Sequence, residues 1–283
     1  MLTGSRGPIQ PFDSGKRKRK QQSYGKKKRR KGRLFLTILV LLILAILAVA
    51  VVYVSTPYKP SEQALNALKT DDQVAVSQTD DWIEFQPSIT SSENTDSKQP
   101  GVIFYPGGRV KPEAYAPFAH DLAATGRHVF IVKMPFNFAF IGQNEAENVQ
   151  DKYPDETFVI GGHSLGGPFA ARYAVAHPEG IAGVFFLASY AEAKGDLSRS
   201  KLPALSITAS QDQILNRESF AAGKAFLPKD TQYEVIEGGN HGHFGSYGEQ
   251  NKDGKASITE DEQRKETVSL MAAWLDGISA SSK

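Results

Sequence analysis

Two apolar patterns divide this 283-residue chain. Leu34 to Val54 reads LFLTILVLLILAILAVAVVYV without a single charge. At about 1.5 Å of rise per residue, a helix of that length spans roughly the 30 Å hydrocarbon core of a bilayer. Downstream the apolar runs are short and rich in branched residues: 101–107, 128–135, 157–164, 181–189, 203–210 and 232–239. Segments with helical spacing separate them at 112–125, 166–178, 218–227 and 258–278. That alternation predicts an α/β class, a mostly parallel sheet with helices on both faces, preceded by a single transmembrane helix. Two partly alternating runs, QVAVS at 73–77 and DWIEFQP at 81–87, predict antiparallel strands at the start of the domain. The last helical segment opens on acids, which suit its dipole, and gathers Val268, Met271, Ala272 and Leu275 into one apolar stripe. That stripe, with Trp82 and Trp274, is core packing.

Charge then sets the organisation. Residues 1–33 carry thirteen Lys or Arg and one acid, Asp13, of the 33 basic and 31 acidic residues in the chain. The remainder is net acidic, which argues against a nucleic-acid partner for the domain. The basic clusters KRKRK and KKKRRK precede the apolar run. By the positive-inside bias they place the amino terminus in the cytoplasm and the domain outside the plasma membrane. The expected divisions are a basic tail at 1–33, an anchor at 34–54 in contact with membrane lipid, a linker at 55–70 and a catalytic domain at 71–283. A cleaved signal peptide is the rival for the anchor, with Ala48-Val49-Ala50 as its cleavage pattern, but the apolar stretch outlasts the usual core of about 7 to 15 residues. With no cysteine in the chain, disulfides, thiolate metal sites and a cysteine nucleophile are excluded.

The candidate chemistry centres on TFVIGGHSLGGPFA at 157–170, where Gly162-His163-Ser164-Leu165-Gly166 fits G-x-S-x-G between a strand run and a helix. A sharp strand-to-helix turn raises a serine hydroxyl above the sheet, and flanking glycines let strand and helix approach. Ser164 is the candidate nucleophile. The acid follows in SQDQI as Asp212, with Asp196 and Glu192 as fallbacks, and the base follows in EGGNHGHFGSYG as His241, with His243 two residues on. This Ser, acid, His order is the one that the architecture imposes. The N–H groups of Leu165 and Gly108 are the expected oxyanion donors, and Arg109 and His243 are candidate substrate contacts. His163, His120, His128 and His177 read as structural. No cofactor is expected, and no metal, because His241 and His243 lack a third ligand with a convincing pattern. Asp253-Gly254 reads as a simple turn, lacking the further oxygen ligands of a calcium loop.

The segments FYPGGRV, GGHSLGG and GGNHGHFGSYG, with Asp212 between the last two, resemble the α/β-hydrolase superfamily over roughly residues 72–283. More narrowly they resemble its small bacterial branch related to dienelactone hydrolases, although Ser164 stands where those enzymes carry cysteine. The resemblance implies a serine hydrolase acting on a small-molecule ester or acyl substrate through a Ser164–His241–Asp212 triad. About a dozen residues separate the strands ending near Ser189 and starting near Pro203, too few for a lid, so an open, capless cleft is expected. A non-catalytic binding protein on the same fold, an acyltransferase and a peptidase are the alternatives, since fold and triad do not specify the acceptor.

Overall fold

The computed structural model describes residues 14–88 and 99–281, with Met1, Gly4, Gly7 and Pro8; side chains are described from Arg33 and, in the last helix, to Ile278. The basic side chains of the tail before Arg33 and most of the polar stretch Ser88–Pro100 lie outside the described residues. The chain forms two units, Met1–Tyr53 and Val54–Lys283.

The first unit holds most of helix α1 (Ser14–Ser55). Its segment Arg33–Ser55, 23 residues, is long and apolar enough to cross a membrane.

The second unit is built on one eight-stranded sheet: β1 (Val74–Gln78), β2 (Trp82–Pro87), β3 (Gly101–Tyr105), β4 (Val129–Val132), β5 (Phe158–His163), β6 (Ile181–Leu187), β7 (Ala204–Ala209) and β8 (Gln232–Ile236). The spatial order is β1-β2-β4-β3-β5-β6-β7-β8. The pairings β1–β2 and β2–β4 are antiparallel and the rest parallel. The expected class and all eight strands are present. Strands β3, β4, β5 and β7 are buried at every position. Cover on both faces requires this, and it is why they read as near-continuous apolar runs, broken only by His163, Ser206 and Thr208.

Helices α3 (Ala116–Ala123), α5 (Gly166–Ala176), α6 (Arg217–Gly223) and α7 (Glu260–Ser281) fall in the segments with helical spacing. One core layer packs Phe104, Phe118 and Phe185 with Met271, Trp274 and Leu275 of α7. The other packs Ile103, Phe130, Ile160 and Phe186 with Phe169 and Tyr173 of α5. Trp82 and Trp274 are both buried, as expected. Between β6 and β7 the chain makes only a 3-10 turn at Ala193–Gly195.

Two helices went unpredicted, α2 (Glu62–Asn66) and α4 (Ala146–Lys152). The first lies in the stretch expected to be a linker. Residues 55–70 instead dock on the domain: Ser61 N donates to Ser246 O at 2.8 Å, and Ala64 is fully buried.

Candidate active site

Ser164 sits in the turn between β5 and α5 with φ at +50°, the left-handed region that costs a non-glycine residue about 1–3 kcal/mol. Hydrogen bonds hold the turn. Ser164 N donates to Leu187 O at 3.0 Å, and the buried Ser189 hydroxyl donates to Ser164 O at 2.5 Å. The expected role of the flanking glycines is visible in their clearances. A Cβ on Gly162 would lie 2.4 Å, and one on Gly166 2.1 Å, from Tyr105 O on the neighbouring strand. No side chain fits there, so only glycine lets α5 start this close to β3.

Asp212 lies in the loop after β7, 4% exposed. Its Oδ2 meets His241 Nδ1 at 2.8 Å, and its Oδ1 accepts from Ile214 N and Leu215 N, both at 2.8 Å. Burial works to raise the carboxyl pKa, but the hydrogen bond and charge of His241, with the Leu215 and Ile214 N–H groups, outweigh it and hold the carboxyl below its ordinary range. The carboxylate therefore stays ionised beside the imidazole. His241 is 1% exposed, and its Nε2 hydrogen-bonds to no described residue. Ser164 and His241 line one cleft of about 180 Å³, together with Leu165, Pro168, Tyr190 and Ile214.

Of the alternatives, Glu192 pairs with Arg172, and Asp196 accepts from Ser198 N at 2.9 Å. Neither meets a histidine. His243 is half-buried and lines a separate small cavity with Glu260 and Arg264. Arg109, also a candidate substrate contact, donates from its guanidinium to Thr56 O at 2.7 Å. Neither side chain is among those that line the Ser164 cleft.

Gly108 and Leu165 are in contact: a Cβ on Gly108 would stand 2.8 Å from Leu165 Cδ2. Neither N–H donates to another described residue. Gly107 N, by contrast, donates to the Tyr115 hydroxyl at 3.0 Å. That hydroxyl also bonds His163 Nδ1 at 2.8 Å. His163 is the structural residue expected. Burial, then the nearby His241, drives its pKa well below the usual histidine value.

Three positioning residues were missed. Asp253, read only as a turn residue, accepts from Gly242 N at 2.8 Å, from Gly254 N at 2.7 Å and from Gln213 N at 3.2 Å. One carboxylate thus ties the His241 loop to the Asp212 loop. Gln263, fully buried on α7, donates to Asn240 O and accepts from Asn240 N, both at 2.9 Å. Asn240 in turn donates to Gly254 O at 2.8 Å. The only sequence signal was a polar residue at a helix position facing the core.

Comparison with known proteins agrees with this architecture. Residues 101–265, more than half of the chain, match the model of the alpha/beta hydrolase family. No curated protein sequence matches the chain. Among solved structures, a predicted CIB-like hydrolase from Thermoplasma acidophilum is similar with a TM-score of 0.53 at 13% identity, over 71% of this chain and 99% of that one. Carboxyl esterase 2 from Tuber melanosporum gives 0.53 at 11% identity, over 79% and 91%. An esterase from Mycobacterium tuberculosis gives 0.52 at 12% identity, over 76% and 95%. At such identities these likenesses speak to the fold, whereas the family match rests on the sequence itself: this chain belongs to the α/β-hydrolase family.

Proposed function

We propose that the protein is a membrane-anchored serine hydrolase that cleaves an ester or related acyl bond. Ser164 Oγ attacks the acyl carbon while His241 Nε2 takes its proton. The tetrahedral oxyanion receives the N–H groups of Gly108 and Leu165. As the acyl–oxygen bond breaks, His241 returns the proton to the leaving alcohol. Water then repeats the sequence on the acyl-enzyme, releasing acid and free serine. Asp212 fixes the imidazole with its Nδ1 proton toward the carboxylate, which leaves Nε2 as the base. The observation that carries this reading is the buried 2.8 Å His241–Asp212 pair in a cleft shared with Ser164. The unbonded Nε2 agrees with it, since such hydrogen bonds often tighten only when substrate is bound.

The anchor is Arg33–Ser55, with the basic tail on the cytoplasmic side and the hydrolase domain outside. The esterase names of two structural neighbours, and the want of room for a lid between β6 and β7, favour a small ester or an accessible acyl group. The test is turnover of short p-nitrophenyl esters by the full chain in detergent. Hydrolysis that Ser164→Ala cuts by about 10³-fold or more supports the reading. Undiminished turnover by that variant rejects it.

A further inference from the structure

Arg109 joins three parts of the molecule. Its backbone N donates to Asn137 O at 2.8 Å, its carbonyl accepts from Tyr58 N at 2.7 Å, and its guanidinium donates to Thr56 O at 2.7 Å. Lys111 N closes the same short parallel bridge by donating to Tyr58 O at 3.1 Å. Thr56 is the residue after Ser55, where the apolar segment ends. Consecutive Cα atoms lie about 3.8 Å apart, so a span that ends at Ser55 holds Thr56 at the membrane surface, and Arg109 with it. The neighbour of Arg109 is Gly108, which packs on Leu165 at the edge of the Ser164 cleft.

The segment bonded to Arg109 has an unusual surface. Residues 134–144 read MPFNFAFIGQN, with no charge. Phe136 is 67%, Phe140 54% and Ile141 49% exposed; the other exposed large hydrophobic side chains described in this unit are Leu65 and Val175, each alone, and the pair Tyr233 and Val235 on β8. Phe136 and Asn137 both have positive φ, at 54° and 60°, a strained conformation that keeps Phe136 in solvent rather than in the core. Phe140 also approaches Phe169, ring centroids 6.4 Å apart, next to Pro168 of the cleft wall. Uncharged loops bearing aromatic and aliphatic side chains bury favourably at the boundary of headgroups and acyl chains. Clustered exposed apolar side chains of this kind mark contact sites rather than folding contacts.

We propose that the 134–141 loop rests in the bilayer surface beside the chain exit at Thr56, so that the Ser164 cleft opens at the membrane and draws acyl substrates from amphiphiles in the bilayer. This inference rests on the anchored-hydrolase reading above and adds the surface that meets the lipid and the source of the substrate.

The chain contains no cysteine, so a single one can be placed and labelled at will. The full chain carrying Ile141→Cys, modified with an environment-sensitive dye, is reconstituted in phosphatidylcholine vesicles with and without spin-labelled lipid. Lys229→Cys, exposed beside the amino end of β8 and so opposite the carboxyl ends of the parallel strands, is the control. The expected result is blue-shifted emission and quenching by spin-labelled lipid at 141 and neither at 229. In a second arm, Phe136→Ser, Phe140→Ser and Ile141→Ser are combined. The ratio of monoacylglycerol turnover in vesicles to p-nitrophenyl acetate turnover in water is expected to fall by about tenfold or more. A dye at 141 that is not quenched, in chain that co-floats with the vesicles, overturns the proposal. A blue shift without quenching does so too, by showing that protein rather than lipid covers the loop. Failure to float removes the anchor, and this inference with it, while p-nitrophenyl acetate turnover that depends on Ser164 leaves the hydrolase reading standing.

Discussion

The imidazole of His163 packs against that of His241, with ring centroids 4.5 Å apart and 48° between the planes. The residue before the proposed nucleophile thus supports the proposed base from behind. It can do so only while neutral, because a cation there would be buried and would repel the His241 imidazolium formed in catalysis.

A pH dependence of stability follows. A histidine whose folded pKa lies below its unfolded value of 6.5 takes up a proton on unfolding, so the native state is penalised as pH falls through that value. In urea titrations of the detergent-solubilised chain, unfolding free energy is expected to drop below pH 6.5 by up to about 1.4 kcal/mol per pH unit. His163→Asn should lose that component. Asp212 has the same sign of slope but in a lower window, because its depressed carboxyl pKa costs stability only below the carboxylate value of 3.8.

His128 has the opposite sign. Burial works to lower its pKa, but Glu156 at 3.2 Å and Glu84 at 2.9 Å outweigh that and raise it. Its contribution is fully present below pH 6.5 and is lost as pH rises through the raised folded value. His128→Gln should therefore flatten the loss of stability on the alkaline side, measured by the same titrations.

Asp212→Asn keeps the shape of the side chain while removing the charge that orients and stabilises the imidazolium. The expected loss in kcat is about 10³- to 10⁴-fold, with far-UV circular dichroism unchanged. A loss of less than about tenfold would point to a different acid.

Asp253→Ala leaves the Gly242, Gly254 and Gln213 N–H groups without their carboxylate and frees the two proposed catalytic loops from one another. Destabilisation of about 1–3 kcal/mol is expected, read as a melting-point drop of several degrees. Asp253→Asn retains one acceptor oxygen and should recover part of both stability and turnover.

What is legible in the sequence follows from what each residue bonds to. The strands were legible because burial on both faces leaves mostly apolar side chains in β3, β4, β5 and β7, with His163, Ser206 and Thr208 the polar exceptions. The turn at Ser164 was legible because its glycines are forced by contacts of less than 2.5 Å with Tyr105 O. Helix α4 was not, because only Ala146 and Val149 of its seven residues are buried, too few to print a period. The bond of Arg109 to Thr56 left no such trace, because the two lie 53 residues apart and Thr56 falls in a stretch with the composition of a linker. The contribution of Asp253 was invisible for a similar reason. Its partners are backbone N–H groups, which every residue except proline carries and which leave no trace in a sequence.

The most direct measurement is the site of covalent capture. The full chain treated with a fluorophosphonate and mapped by peptide mass spectrometry should carry the adduct on Ser164, and Ser164→Ala should carry none. Folded chain that stays unlabelled, or labelling that persists equally in Ser164→Ala, would contradict the assignment of Ser164 as the nucleophile.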